Sequence, residues 1–323
     1  MKRVFILVPE SAVIEAVASP QYMFSSANQF LVSKGKDPLF DVHLVGSKKE
    51  VAFRNGLFTV HPDMLLEEAK ETDLVVIPAL FGDMQTAVTR NSDAIPWIVN
   101  QYKNGAEVAS LCVGAFLLAS TGLLSGKKCS THWAFYNEFR ETFPDVEIVD
   151  GGVITEESGI YSSGGANSYW NLLLYLLEKY TDRDTAILAS KYFAVDIDRE
   201  SQAAFMMFRG QKDHQDEEIR KAQEFIEAEY QNKLTVDELA SMVAVSRRSF
   251  ERRFKQATGN TVIEYLQRVK VEAAKRSFES SRKNIGEVMF DVGYTDTKAF
   301  RTVFKKITGL TPIEYRNKYN KDL

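Results

Sequence analysis

The stretch FERRFKQATG, residues 250–259, recurs as FRTVFKKITG, residues 300–309. Both copies continue in step, Thr261-Val-Ile-Glu-Tyr265 matching Thr311-Pro-Ile-Glu-Tyr315. Upstream, Val236-Asp-Glu-Leu239 matches Ile285-Gly-Glu-Val288, and Val243-Ala-Val matches Val292-Gly-Tyr, with a one-residue slip in the turn. Self-similarity of this kind means one supersecondary unit used twice. Each copy reads as a short apolar helix (236–242; 285–291), a tight turn and a second helix. Gly293 supplies the positive φ such a turn requires, and Ala244 fills the same place at a cost. Ser246 is the expected N-cap of the second helix in the first copy, and Thr295 or Asp296 in the second.

Within the second helices, Phe250 and Phe254, like Phe300 and Phe304, lie four apart and share one face. Arg247, Arg248, Glu251, Arg252 and Lys255 then point outward in one copy. Thr297, Lys298, Arg301, Thr302 and Lys305 do so in the other. A helix anchored by aromatic residues and presenting cations fits a DNA major groove. A joining helix near 262–280 would place the two units about 34 Å apart, one turn of duplex.

The whole chain carries a net charge of −4, which by itself argues against a nucleic-acid partner. The average hides an asymmetry. Residues 216–323 hold 21 Lys+Arg against 17 Asp+Glu, and residues 1–215 hold 19 against 27. A basic back and an acidic front imply different partners for each. The front alternates apolar runs at 3–8, 40–45, 74–78, 107–111 and 146–149 with helical stretches at 93–104, 115–121, 171–180 and 184–192. Such alternation predicts an α/β domain with a mostly parallel, flavodoxin-like sheet and helices on both faces. Polar residues then lead into a helix near Asp216, after which all is helical. The expected organisation is a sensor domain over 1–200, a linker over 201–215 and an all-α DNA-binding domain over 216–323.

The apolar start ends at Pro9-Glu10 with no cleavage site behind it, and no apolar run spans a bilayer, so a cytoplasmic protein is expected. The two cysteines, Cys112 and Cys129, form no disulfide framework, and no metal or cofactor is implied. Cys112 falls between a predicted strand and a predicted helix. That is the place of a nucleophile elbow, where a helix N-terminus would favour a thiolate. His132, one of four histidines, is a candidate partner for it. The competing reading is a small buried apolar side chain.

Residues 216–323, above all GEVMFDVGYTDTKAFRTVFKKITGLTPIEYR, resemble the AraC/XylS family DNA-binding domain. The resemblance implies base contacts from Arg248, Glu251, Arg252, Thr297, Lys298, Arg301 and Thr302. Phosphate contacts would come from Arg247, Arg253, Lys255, Lys305 and Lys306. Residues 1–190, through SLCVGAFLLASTGLLSGKKCSTHW, resemble the PfpI-like, class I glutamine-amidotransferase-like domain, with Cys112 at the elbow, His132 at the family histidine and the family acid near Glu15. Two departures count against a retained hydrolase. Pro78-Ala79-Leu80 stands where the family often has Gly-Gly, and Asn167 stands where an acid occurs. The pairing of domains resembles the GlxA family of regulators. By analogy the effector site would comprise Glu15, Cys112, His132 and Asn167. The chain is therefore expected to be a homodimeric regulator that binds double-stranded DNA and a small-molecule effector. The alternatives are a cysteine-dependent hydrolase, hydratase or glyoxalase-like enzyme with a DNA-binding tail, and a redox sensor using Cys112 and Cys129.

Overall fold

A computed structural model describes the chain except residues 55, 198–200, 209, 213 and 321–323. It divides into two compact units, Met1–Gln202 and Ala203–Leu323. No described helix is long and apolar enough to cross a membrane.

The first unit carries the strands β1 (Lys2–Leu7), β2 (Phe40–Gly46), β3 (Val51–Phe53), β4 (Phe58–Val60), β5 (Met64–Leu65) and β6 (Leu74–Ile77), followed by β7 (Glu107–Ser110), β8 (Lys128–Cys129), β9 (Glu147–Ile148), β10 (Ile154–Glu157) and β11 (Ile160–Ser163). Seven of them form one sheet in the order β10-β11-β7-β6-β1-β2-β5, parallel except where β10 meets β11. Every residue of β6 is fully buried, because helices cover both faces of the sheet. The helices are α1 (Ile14–Ser33), α2 (Met84–Arg90), α3 (Ala94–Lys103), α4 (Ala115–Ser120), α5 (Tyr136–Thr142), α6 (Tyr169–Tyr180) and α7 (Arg183–Phe193). α1, α6 and α7 pack on one another, as do α2 with α4 and α3 with α4.

One expected strand is displaced. The run at 146–149 gives only β9, paired with β8 in a separate two-stranded sheet. The strand beside β7 at that end of the chain is β11, whose sequence IYSS is buried throughout but lacks an apolar run. Its serines find hydrogen-bond partners inside, so burial there leaves no hydrophobic signature.

The second unit is helical: α8 (Glu217–Glu229), α9 (Val236–Met242), α10 (Arg247–Thr258), α11 (Val262–Ser280), α12 (Ile285–Asp291), α13 (Thr297–Thr308) and α14 (Pro312–Tyr319). The repeat is realised group by group. Phe250 and Phe254 are fully buried at 5.6 Å between ring centres, and Phe300 and Phe304 at 5.7 Å. The second ring of each pair meets a tyrosine edge-on, Phe254 with Tyr265 and Phe304 with Tyr315. Each tyrosine hydroxyl donates to a glutamate, Glu227 or Glu279. Burying one such ring contributes about 1.5–3 kcal/mol. Gly259 and Gly309 close α10 and α13 in the left-handed conformation. Thr261 with Glu264 and Thr311 with Glu314 then open the next helix as capping boxes. Ser246 caps α10, and Asp296, not Thr295, caps α13.

In the stretch 201–215, expected as a linker, Gln202 and Ala204 are buried and several backbone groups are hydrogen-bonded, Arg209 and Asp213 lying outside the described residues. Ser201 bridges Gly152, and Gln202 N–H donates to Gly151 in the first unit. Ala203–Phe205 is a 3₁₀ turn in the second unit. There Met206 O accepts from Lys275, and Phe208 N–H donates to Glu272. The buried ion pair of Glu272 and Lys275 on α11 satisfies this backbone, which polar composition alone does not reveal.

Both turns take the expected left-handed backbone, with φ of +54° at Ala244 and +73° at Gly293. A Cβ at Gly293 would lie 2.0 Å from the Gln231 carbonyl oxygen. Gly293→Ala is therefore expected to destabilise the protein by at least about 2 kcal/mol, while Ala244→Gly stays within about 1 kcal/mol of wild type, as urea unfolding will show.

Candidate functional site

α10 and α13 expose the side chains that the repeat assigned to them. Arg247, Arg248, Glu251, Arg252 and Lys255 are exposed on α10, and Thr297, Lys298, Arg301, Thr302 and Lys305 on α13. Their commitments differ. Arg247 pairs with Asp237 at 3.0 Å and with Glu251 at 3.3 Å. Such exposed pairs are worth about 0–1 kcal/mol and give way readily to a phosphate. Arg248, Arg252, Lys255, Lys298, Arg301 and Lys305 make no ion pair with any described residue.

Arg253 differs from expectation. Read as a phosphate contact, it instead forks onto Asp216, with bonds of 2.8 and 2.6 Å, and also reaches Glu218 at 2.7 Å. Asp216 is the N-cap of α8. Arg253 thus ties α10 to α8 and leaves the DNA-facing set. The Arg253 guanidinium holds the Asp216 carboxyl below its ordinary range.

In the first unit, Cys112 directly follows the β7–Leu111 segment with φ of +55°, the strained backbone of an elbow. The turn is wedged against the end of β6. Leu111 N–H donates to Ile77 O, and a Cβ at Gly114 would lie 2.5 Å from Pro78 O. The Pro78–Leu80 segment that replaces Gly-Gly pairs with the loop after β1, through Val13 N–H to Ala79 O and a bridge from Ala12 to Leu80. Cys112 N–H donates to Ser163 Oγ at 3.3 Å, and Thr131 Oγ1 donates to Cys112 O at 3.1 Å. Sequence reasoning missed both residues, although each adjoins a stretch singled out for another member.

The expected convergence is incomplete. Cys112 is 5% exposed, and burial pushes its thiol up to about 12, outweighing the single bond from Val113 N–H. Desolvation thus opposes the expected thiolate and outweighs what one turn of helix offers. Cys129 is buried and raised to about 12 for the same reason. His132 caps the turn Trp133–Phe135, its Nδ1 accepting from Ala134 N–H at 3.1 Å, and burial lowers its pKa. Among the described residues no hydrogen bond or ion pair joins Cys112 to His132. Glu15 is exposed in the first turn of α1 and lines a cleft with Ser11, Arg54, Phe81 and Arg90. The Tyr169 hydroxyl bonds to Ser19, and burial raises its pKa against that bond. Asn167 is exposed and gives its carbonyl to Trp170 N–H.

Two outcomes are expected. Iodoacetamide should alkylate native Cys112 far more slowly than a free thiol at pH 8, with a rate that climbs to pH 11 without a plateau. Arg253→Ala should lower the melting temperature at pH 7. Because the Asp216 pKa is depressed, that pair stabilises above the unfolded value of about 3.9 and the contribution is lost as pH falls through the folded one, so the deficit should shrink in acid.

Residues 2–179 match the DJ-1/PfpI family, and residues 239–318 match a helix-turn-helix domain family. The HTH-type transcriptional regulator CdhR of Pseudomonas aeruginosa is 23% identical over 97% of this chain and 90% of its own. The HTH-type transcriptional regulator GlxA of Rhizobium meliloti is 22% identical over 66% of each chain. A crystal structure of an AraC family transcriptional regulator from Pseudomonas putida superposes with a TM-score of 0.51 at 17% identity, covering 60% of this chain and all of that one. That likeness carries the fold alone. With its parallel sheet, cysteine elbow and doubled helix-turn-helix, the chain belongs to the DJ-1/PfpI family and carries a C-terminal AraC-type helix-turn-helix region.

Proposed function

We propose that the protein is a cytoplasmic, sequence-specific transcription regulator whose second unit reads duplex DNA through α10 and α13. The first unit receives a small-molecule effector and pairs two copies, two-fold dimers being the commonest assemblies. The observation that carries the reading is the doubled recognition helix, each copy buried on a phenylalanine pair and exposing cations, of which all but Arg247 make no ion pair among the described residues. Arg248 and Arg252 suit guanine edges, and Lys255, Lys298, Arg301 and Lys305 suit guanines or phosphates. The α10 set is rich in arginine, whereas α13 adds Thr297 and Thr302. The two half-sites of one chain therefore differ in sequence.

The enzyme reading draws less support. The Cys112 thiol at the elbow is buried, burial raises its pKa, and no hydrogen bond joins it to His132 among the described residues. The relatives compared above are named as regulators.

Fluorescence anisotropy with the DNA upstream of the protein's own gene tests the proposal. Specific binding should exceed that to a scrambled duplex by at least about 10³-fold at physiological salt. Arg248→Ala should cost about 1–3 kcal/mol and relax specificity at one position, while Lys305→Ala weakens all sequences and lowers the salt slope by about 1. Equal affinity for both duplexes overturns the reading.

A further inference from the structure

α11 serves both copies of the helix-turn-helix. Its Val262, Tyr265 and Val269 lie in the core beneath α10, and its Val271, Ala274 and Phe278 in the core beneath α13. Lys270 stands between Val269 and Val271, where the helix passes from one core to the other. It is 7% exposed, and among the described residues it pairs with no carboxylate. Its ammonium donates to Gly293 O at 3.1 Å and lies 5.3 Å from the centre of the Tyr294 ring. Burial pushes its pKa down. A buried cation without a counter-ion costs stability, and an apolar side chain of similar length would fill the space without that cost.

Gly293 and Tyr294 belong to the turn that leads from α12 into α13, whose N-cap is Asp296. The loop between α8 and α9 meets this turn. Gln231 follows Tyr230, the C-cap of α8, and a Cβ at Gly293 would lie 2.0 Å from Gln231 O and 2.8 Å from Lys270 Nζ. Tyr230 packs against both cores. α8 is in turn tied to α10 through Arg253 on Asp216. The matching turn of the first copy is exposed and carries Ala244. Glycine thus stands in the turn that lies against another part of the unit.

We infer that Lys270 is a strut: by bonding the turn before α13 to the middle of α11, it fixes the second recognition helix relative to the first and sets the half-site separation that one chain accepts. This inference rests on the proposed reading of DNA by both helices. Each recognition helix has its own core, so each stays folded if the angle between them changes. A rigid pair engages both half-sites at one separation only, whereas a loose pair tolerates several and binds the right one less tightly. Lys270 is a positioning residue, since it acts on DNA only through α13.

Two measurements on the full-length protein test this. The first is anisotropy on the upstream duplex, at its native spacing and with two base pairs inserted between the half-sites, which the footprints of Arg248→Ala and Arg301→Ala locate. The second is the distance distribution between nitroxides at Glu251→Cys and Thr302→Cys in the free protein, by pulsed electron resonance, Cys112 and Cys129 being buried. Wild type should lose about 10²-fold in affinity on insertion, as linked modules do when geometry forbids joint engagement. Lys270→Met keeps the stem and removes the ammonium. It should weaken binding at the native spacing about 10-fold and leave the inserted duplex nearly unchanged, so that the penalty falls to about 10-fold, and it should broaden the distance distribution. Lys270→Gln, shorter and uncharged, is the second variant and should do the same. Equal weakening at both spacings, or a lower melting temperature with the penalty kept, marks a merely structural residue and overturns the strut. A wild type that does not prefer the upstream duplex removes the regulator reading instead. The distance distribution then decides alone, and an unaltered width in both variants overturns the strut.

Discussion

The edge-on contact of Phe254 with Tyr265, repeated by Phe304 with Tyr315, is the constraint on which the DNA-binding unit depends. A recognition helix must be fixed on one face and left open on the other, and its open face carries mutually repelling cations. Exposed charge contributes little to holding it, so buried aromatic area has to. Two buried rings four residues apart set the rotation of the helix. The tyrosine of the following helix then locks the second ring, and a glutamate takes up its hydroxyl. The left-handed glycine and the capping box between them make that return of the chain possible.

The same balance explains why cations adjacent in sequence have different tasks. Arg252 and Arg253 are neighbours on α10, but the helical rotation sends one outward and the other toward α8. There two carboxylates fork onto Arg253, which becomes a strut between helices. Arg247 lies between these cases, held by weak exposed pairs that yield to a stronger anion.

In the first unit, the elbow combines a strained backbone with a buried thiol. The strained φ at Cys112, the close approach of Gly114 to Pro78, the bond from Cys112 N–H to Ser163 Oγ and the bond from Thr131 Oγ1 to Cys112 O define the turn. Burial raises the thiol pKa and favours its protonated form.

The sequence by itself determined the doubled helix-turn-helix, its aromatic anchors, the left-handed turns at Ala244 and Gly293, the outward cations and the elbow at Cys112. These are local or periodic features, and helical spacing places a side chain on a face wherever the helix goes. Only the tertiary structure decided that β11 and not the 146–149 run flanks β7, because buried serines leave no apolar trace. It also decided that Arg253 is structural, since Asp216 and Glu218 are distant in sequence, and that Cys112 is desolvated, since burial sums many remote atoms. The buried seat of the Gln202 amide was hidden most deeply, because a polar side chain reads as exposed until the fold brings the Thr131 and Gly152 carbonyls and Gly164 around it.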